Sequence, residues 1–381
     1  MAALAVAEDF DEVEPAVRQG LAGWPVVAVE QLAFQGDEKL VCPVRWWDDS
    51  VLSVPDDAQR GRSGMRRSPG SVFGSSLLSM AVVLAMSACE RSFDDPTTAQ
   101  CSAPPVSLDQ PVDLGTHQEV VVHFTCEGAT LTGTLYLPEG SGRHPAVVWI
   151  LGGEQTARLT YGDLVGAFTR AGVGFFSYDK RGGGQSQGEC CPGDYGHFNL
   201  LTADAVGAVN ALRASTDIDP QQIGLVGTSQ AGWIVPRAAV DSHHVAFIAL
   251  ASAAVLPYDQ VKAYAELTGG SGSDKPFPSK EEITKRLQDA GSSGADPKPY
   301  LEQLTIPALW LYGTADREVP VDQSVALLDG LKAQGKDLTV VTFPDAGHGL
   351  LDSPPTDPQA PTTFVQWVQK RTRAEAEKRS S

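Results

Sequence analysis

A serine, an aspartate and a histidine each stand just past a short apolar run in this chain. Ser229 follows Ile223-Gly224-Leu225-Val226-Gly227-Thr228, Asp316 follows a run from Ile306 to Gly313, and His348 follows one from Leu338 to Phe343. A serine hydroxyl is a weak nucleophile at neutral pH until an imidazole takes its proton. The imidazole does so best when a carboxylate holds its other nitrogen. Each residue alone has an ordinary structural use, Ser229 as a helix cap, Asp316 as a turn residue and His348 as a polar loop residue. Three strand-like runs that each deliver one member of such a set to the carboxyl end of a parallel sheet predict one acyl-transfer site at that rim.

The elements that position Ser229 are a strand, a sharp turn and a helix. Gly227 on one side and Ala231 and Gly232 on the other keep the turn clear of bulk, because strand and helix approach closely there. The helix N-terminus adds free N–H groups and partial positive charge beside the serine. Gly227-Thr228-Ser229-Gln230-Ala231 resembles the G-x-S-x-G nucleophile elbow of the α/β-hydrolase superfamily, with Ala231 where the last glycine usually stands. Ser-Gln-Ala-Gly-Trp-Ile-Val-Pro is similar to the Ser-Gln-Gly-Gly-Trp elbow of a bacterial exported esterase-like subgroup, related to dienelactone hydrolases, prolyl oligopeptidases and serine aminopeptidases.

The resemblance covers about Glu119 to Arg371. It implies the α/β class and the α/β-hydrolase fold, a mostly parallel eight-stranded sheet with helices on both faces and a small cap insertion. It implies Ser229 as nucleophile, His348 as general base and Asp316 as the acid that orients the imidazole. It also implies an oxyanion hole. The loop after the third strand of the family's sheet carries a His-Gly type motif that donates one N–H. Here Leu151 replaces the histidine, and Gly153, after Gly152, falls where the donor should be. The second donor would be the N–H of Gln230. No metal or organic cofactor is implied.

Along the rest of this region, runs from Glu119 to Cys126 and from Leu131 to Leu137 predict a hairpin, and Ala146 to Leu151 predicts a strand covered on both faces. Asp179-Lys180-Arg181-Gly182-Gly183-Gly184-Gln185-Ser186 resembles the D-x-R-G-x-G-x-S turn that follows the fourth strand in many α/β-hydrolases. It is expected to be structural, with Asp179 pairing Arg181, since it lacks the Walker spacing of a phosphate loop. Helices are expected over about 161–171, 201–214 and 362–376, with a slight bend at Pro236 in the helix after the elbow. From about 253 to 302 the strand pattern lapses into a polar segment with one short helix over about 280–290. This is where the family inserts its cap, and its polarity argues against an apolar lipase lid.

The N-terminal third has a different character. Residues 1–64 carry acidic clusters and no clear alternation of strand and helix, as expected of an extension that is disordered or not translated in nature. Met65-Arg66-Arg67, the apolar run Leu77 to Met86 and the small residues before Cys89 predict a lipoprotein signal peptide over 65–88. The apolar run is shorter than the roughly 20 residues a membrane-spanning helix needs. Cys89 sits in a lipobox-like context, which makes it the expected lipidation site and anchor to a membrane. Residues 89–116, rich in Pro, Ser, Asp and Thr, are expected to form a flexible tether ahead of a hydrolase domain at 117–378. The expected location is the cell envelope, on the periplasmic or surface side of a bacterial membrane.

Four cysteines remain in the exported part, Cys101, Cys126, Cys190 and Cys191, and three pairings are possible. The adjacent pair would be strained as a self-bridge, so each of its members is expected to reach elsewhere. The formal charge of −18 argues against nucleic acid or anionic headgroups as partners. The expected function is hydrolysis of a small-molecule carboxylic ester through an acyl-enzyme. A serine peptidase or an acyl thioesterase on the same site are alternatives, as is a surface binding lipoprotein that kept the fold without catalysis.

Overall fold

The computed structural model describes residues 31–33, 39–41, 101, 106–153, 155–189 and 198–380. The chain divides into two units, Met1–Phe93 and Asp94–Ser381. In the first, β1 (Gln31–Ala33) and β2 (Lys39–Val41) pair antiparallel. The signal segment at 65–88, Cys89, Cys190 and Cys191 lie outside the described residues.

The second unit is built on one sheet. β5 (Gln118–Cys126) and β6 (Ala129–Leu137) form the expected hairpin, joined by Glu127 and Gly128. Both turn residues have positive φ, at 44° and 72°. That backbone matches the right-handed twist of the strands it connects. There follow β7 (His144–Ile150), β8 (Gly174–Tyr178), β9 (Ile218–Thr228), β10 (Phe247–Ala251), β11 (Ala308–Gly313) and β12 (Leu338–Phe343). The strand order is β12-β11-β10-β9-β7-β8-β6-β5. The strands from β8 to β12 are mutually parallel, and β6 joins them antiparallel.

Among the described residues the sheet has ten strands rather than eight. β3 (Val106–Leu108) and β4 (Val112–Asp113) both pair antiparallel with β5 at the sheet edge. Both fall within the stretch expected to be a flexible tether. The open edge of β5 offers unpaired N–H and C=O groups, and these recruit the arriving chain although its composition carries no strand period. A disulfide between Cys101 and Cys126 ties the same stretch to the end of β5, with Cα atoms 5.0 Å apart. With Cys101 and Cys126 joined, neither is left for Cys190 or Cys191 to reach.

Helices cover both faces, and the pleat of the strands divides the core between them. Ala146, Val148 and Ile150 of β7 point into one apolar cluster with α2 (Phe198–Ala214), α3 (Ala231–Ser242) and α7 (Val321–Ala333). Val147, Trp149 and the following Leu151 join the other, with α1 (Asp163–Arg170) and α8 (Ala360–Ser380). Phe168 of α1 and Phe364 of α8, both fully buried, meet edge to face with ring centroids 6.3 Å apart.

The expected cap segment contains three helices, not one: α4 (Tyr258–Thr268), α5 (Lys280–Ala290) and α6 (Lys298–Gln303). Only α5 was foreseen, and it begins with a capping box at Ser279 and Glu282. In α4 the buried face consists of Val261, Ala263, Tyr264 and Thr268. One aliphatic among small and polar residues makes a weak helical period, which is why it was missed.

Replacing Phe364 with Ala should cost about 3–5 kcal/mol of stability, the range for emptying a fully buried aromatic site. Chemical denaturation followed by circular dichroism measures this, and an unchanged midpoint would contradict the packing described.

Candidate active site

From β7 the chain crosses to β8 on one side, then returns over the sheet to β9 on the other. The order therefore reverses between β7 and β9, the place at which parallel α/β sheets hold their sites, outside the carboxyl ends of the strands. Gly152 and Gly153 leave β7 at that point, and Ser229 leaves β9. An added methyl on Gly152 would lie 3.8 Å from the Ser229 Cβ, so the two loops approach closely.

Ser229 occupies the left-handed region at φ 54°. For a residue other than glycine this costs on the order of 1–3 kcal/mol, and the surroundings must hold it. They do so through the backbone. Ser229 N donates to Ala251 O at 3.2 Å, and Ser229 O accepts from Gly232 N at 3.0 Å and Ala254 N at 3.2 Å. At Gly227 a Cβ would sit 2.5 Å from Ile150 O, and at Gly232 one would sit 1.9 Å from Ala254 O. The tightest approach on the helix side is thus at Gly232. That explains how the turn accepts Ala231, which is fully buried, in place of the usual glycine.

Asp316 and His348 meet as the sequence predicts. His348 Nδ1 lies 2.8 Å from Asp316 Oδ2, with the aspartate fully buried and the imidazole side chain 20% exposed. Asp316 Oδ1 accepts from the N–H groups of Glu318 at 2.8 Å and Val319 at 3.0 Å, so both carboxylate oxygens are satisfied. Buried charge is tolerable only with such partners. Gly313 lets β11 pass under the histidine loop, since a Cβ there would sit 2.3 Å from Ala346 O. Burial pulls the His348 pKa down, but the Asp316 hydrogen bond and charge, helped by Glu318 and Asp352, outweigh it and raise it above the ordinary 6.5.

Two supporting residues were not anticipated. Ser252, at φ 48°, donates its hydroxyl to His348 O at 2.6 Å. Its neighbour Ala251 is the residue that accepts Ser229 N, so the end of β10 ties the serine and histidine loops to one place. The signal was present as a lone serine in the apolar run from Phe247 to Leu256. Tyr264 of α4 donates its hydroxyl to Asp316 O at 2.7 Å. Among the described residues no hydrogen bond joins Ser229 Oγ to His348. The Nδ1 contact leaves Nε2 as the nitrogen open to the serine.

The glycine turn after β7 is braced from two sides. Gly152 N donates to Gln155 Oε1 at 3.3 Å, which leaves the next N–H, that of Gly153, as the one free of that bond. Lys180 Nζ donates to Gly152 O, to Gly153 O at 3.1 Å and to Gln230 Oε1 at 2.9 Å. In the turn carrying Lys180, Asp179 and Arg181 do not pair as expected. Asp179 instead takes Arg158 Nη1 at 2.5 Å and the N–H groups of Arg158 and Gln185. Arg181 reaches Asp204 of α2 at 2.6 Å. Gly184 permits this at φ 50°, for a Cβ there would fall 2.3 Å from the Asp179 carboxyl carbon. Asp179 turns to the half-buried Arg158 and Arg181 to the buried Asp204, partners that residue spacing does not reveal.

An elbow serine at the reversal of a parallel sheet, with a carboxylate–imidazole pair on the loops after β11 and β12, defines an α/β-hydrolase. The chain belongs to the prolyl oligopeptidase family, whose sequence profile matches residues 167–374 and so includes Ser229, Asp316 and His348. It is 25% identical over 264 residues to dipeptidyl-peptidase 5 of Porphyromonas gingivalis, covering 65% of this chain and 36% of that protein. It is 27% identical over 253 residues to an uncharacterized peptidase, YuxL, of Bacillus subtilis, covering 61% and 35%. The chain thus matches about a third of the length of these relatives, 36% and 35%. Among solved structures, acetyl xylan esterase 1 from Thermoanaerobacterium sp. superposes with a TM-score of 0.53 at 19% identity, over 73% of this chain and 94% of that one. An acetyl xylan esterase from Paenibacillus sp. R4 gives 0.52 at 16%, over 70% and 88%. These two share the fold.

The His348 imidazole should titrate above 6.5 in NMR spectra of the folded protein. Asp316→Asn removes the larger raising influence and should bring it below that value, because burial then dominates. The sign carries to stability: the stabilisation from the protonated ring is full below the unfolded value and fades as pH rises through the folded one. An unchanged His348 titration in Asp316→Asn would contradict the coupling.

Proposed function

We propose that the protein is a serine hydrolase that cleaves carboxylic esters through an acyl-enzyme. The observation that carries this reading is the buried Asp316 carboxylate 2.8 Å from His348 Nδ1, on loops tied through Ser252 and Ala251 to the strained turn of Ser229. In this reading Ser229 Oγ attacks the carbonyl carbon, and His348 Nε2 takes its proton and returns it to the departing alkoxide. Asp316 fixes the imidazole tautomer and stabilises the charged ring. The N–H groups of Gly153 and Gln230 hold the tetrahedral oxyanion. Water then attacks the acyl-enzyme, assisted by the same imidazole, and releases the acid and Ser229.

A triad of this kind sets acyl transfer and leaves the leaving group open. The peptidase names among the relatives favour a second reading, hydrolysis of amides on the same site. An aminopeptidase needs an acidic residue to hold the substrate ammonium, and Glu154, a carboxylate beside the glycine turn in sequence, lies outside the described residues. We also propose export as a lipoprotein anchored through Cys89. That reading is supported by the sequence around Met65 and Cys89, and it predicts a mature chain that begins at Cys89 with a diacylglyceryl group. Mass spectrometry of the natural N-terminus checks it, and a chain beginning upstream without lipid would overturn it.

Ser229→Ala should lower turnover of p-nitrophenyl acetate by at least about 10⁴-fold, as loss of a triad nucleophile does, with the circular dichroism spectrum unchanged. Retained turnover would exclude the mechanism. Matched panels of acyl esters and aminoacyl amides give the specificity: higher kcat/KM on amides would replace the ester reading with the peptidase one.

A further inference from the structure

Lys180 is buried, yet its ammonium reaches acceptors on two separate loops. Gly152 O and Gly153 O belong to the turn after β7, and Gln230 Oε1 belongs to the elbow. In a planar trans peptide the carbonyl and the following N–H point in opposite directions. Anchoring Gly152 O therefore aims the Gly153 N–H away from Lys180. A cation bonded to that carbonyl also polarises the same peptide unit and makes its N–H a stronger donor. The bond to Gln230 Oε1 fixes the neighbouring donor residue relative to the first.

From this geometry we infer that Lys180 is the positioning residue of the oxyanion site, a clamp that sets the spacing of the Gly153 and Gln230 N–H groups before substrate arrives. The inference rests on the acyl-transfer reading above. A methionine would fill the same space without the cost of taking an ammonium out of water. Burial already draws the lysine pKa down to about 8. Its three acceptors, all oxygens of the two site loops, say what the cation is used for.

The test is Lys180→Met, assayed with p-nitrophenyl acetate and with an alkyl boronic acid, whose tetrahedral adduct places an oxygen where the oxyanion would be. Misplaced donors should lower kcat by about 30- to 100-fold and leave KM within about threefold. Boronate affinity should fall by a similar factor, because the interaction belongs to the tetrahedral state and not to the ground state. An unchanged kcat, or a kcat loss without loss of boronate affinity, would overturn the proposal and leave Lys180 a packing residue. Gln230→Ala keeps the backbone donor and removes one anchor, so it should give a smaller loss of about 3- to 10-fold in both readouts. It decides the matter if Lys180→Met does not fold, and no loss in either readout would overturn the clamp. Failure of the underlying reading looks different, for then the unaltered protein has no Ser229-dependent turnover to compare.

Discussion

The hydrogen bond between Asp316 and His348 is the contact on which the rest of the site depends. A neutral imidazole surrounded by protein has no reason to gain a proton, since burial penalises its charged form. The fully buried carboxylate at 2.8 Å reverses that preference and raises the affinity of the ring for a proton. The carboxylate survives its own burial because the N–H groups of Glu318 and Val319 satisfy its second oxygen. The charge and its backbone donors sit on one short turn after β11, and the imidazole comes from the loop after β12.

The sheet makes that turn useful. Parallel strands deliver the loops after β7, β9, β11 and β12 to one rim, and β10 ties them together through Ala251 and Ser252. Strain at Ser229 is held by three backbone hydrogen bonds and by two glycines that no larger residue could replace without displacing backbone. The rigid scaffold thus stores an unfavourable serine conformation in a fixed place. Lys180 extends the logic to the turn after β7, because its ammonium joins the Gly152 and Gly153 carbonyls to the Gln230 side chain of the elbow.

Much of this was legible in the sequence, because the signals were local. The runs before Ser229 and Asp316 end in residues buried on both faces and therefore read as continuous apolar stretches, the run before His348 is a half-buried edge strand, and the glycines of the elbow mark close approach. What the sequence did not disclose depends on partners distant in the chain. Asp179 and Arg181 are two residues apart, and nothing in that spacing reveals that one turns to Arg158 and the other to Asp204. Tyr264 acts through a backbone carbonyl, which leaves no trace in residue type, and Ser252 shows only as a lone serine in an apolar run. The edge strands β3 and β4 are too short to show a period and exist because β5 offers an open edge. Helix α4, whose tyrosine braces the Asp316 turn, buries a single aliphatic among Ala263, Tyr264 and Thr268 and so lacked the repeat that announced α2.

The most direct test of the central claim is to treat the protein with a fluorophosphonate and map the adduct by tandem mass spectrometry, alongside Asp316→Ala and His348→Ala variants. The account predicts a single phosphonyl group on Ser229, formed rapidly in the unaltered protein and orders of magnitude more slowly in either variant. Modification at another residue, or labelling of Ser229 at equal rates in all three proteins, would contradict it.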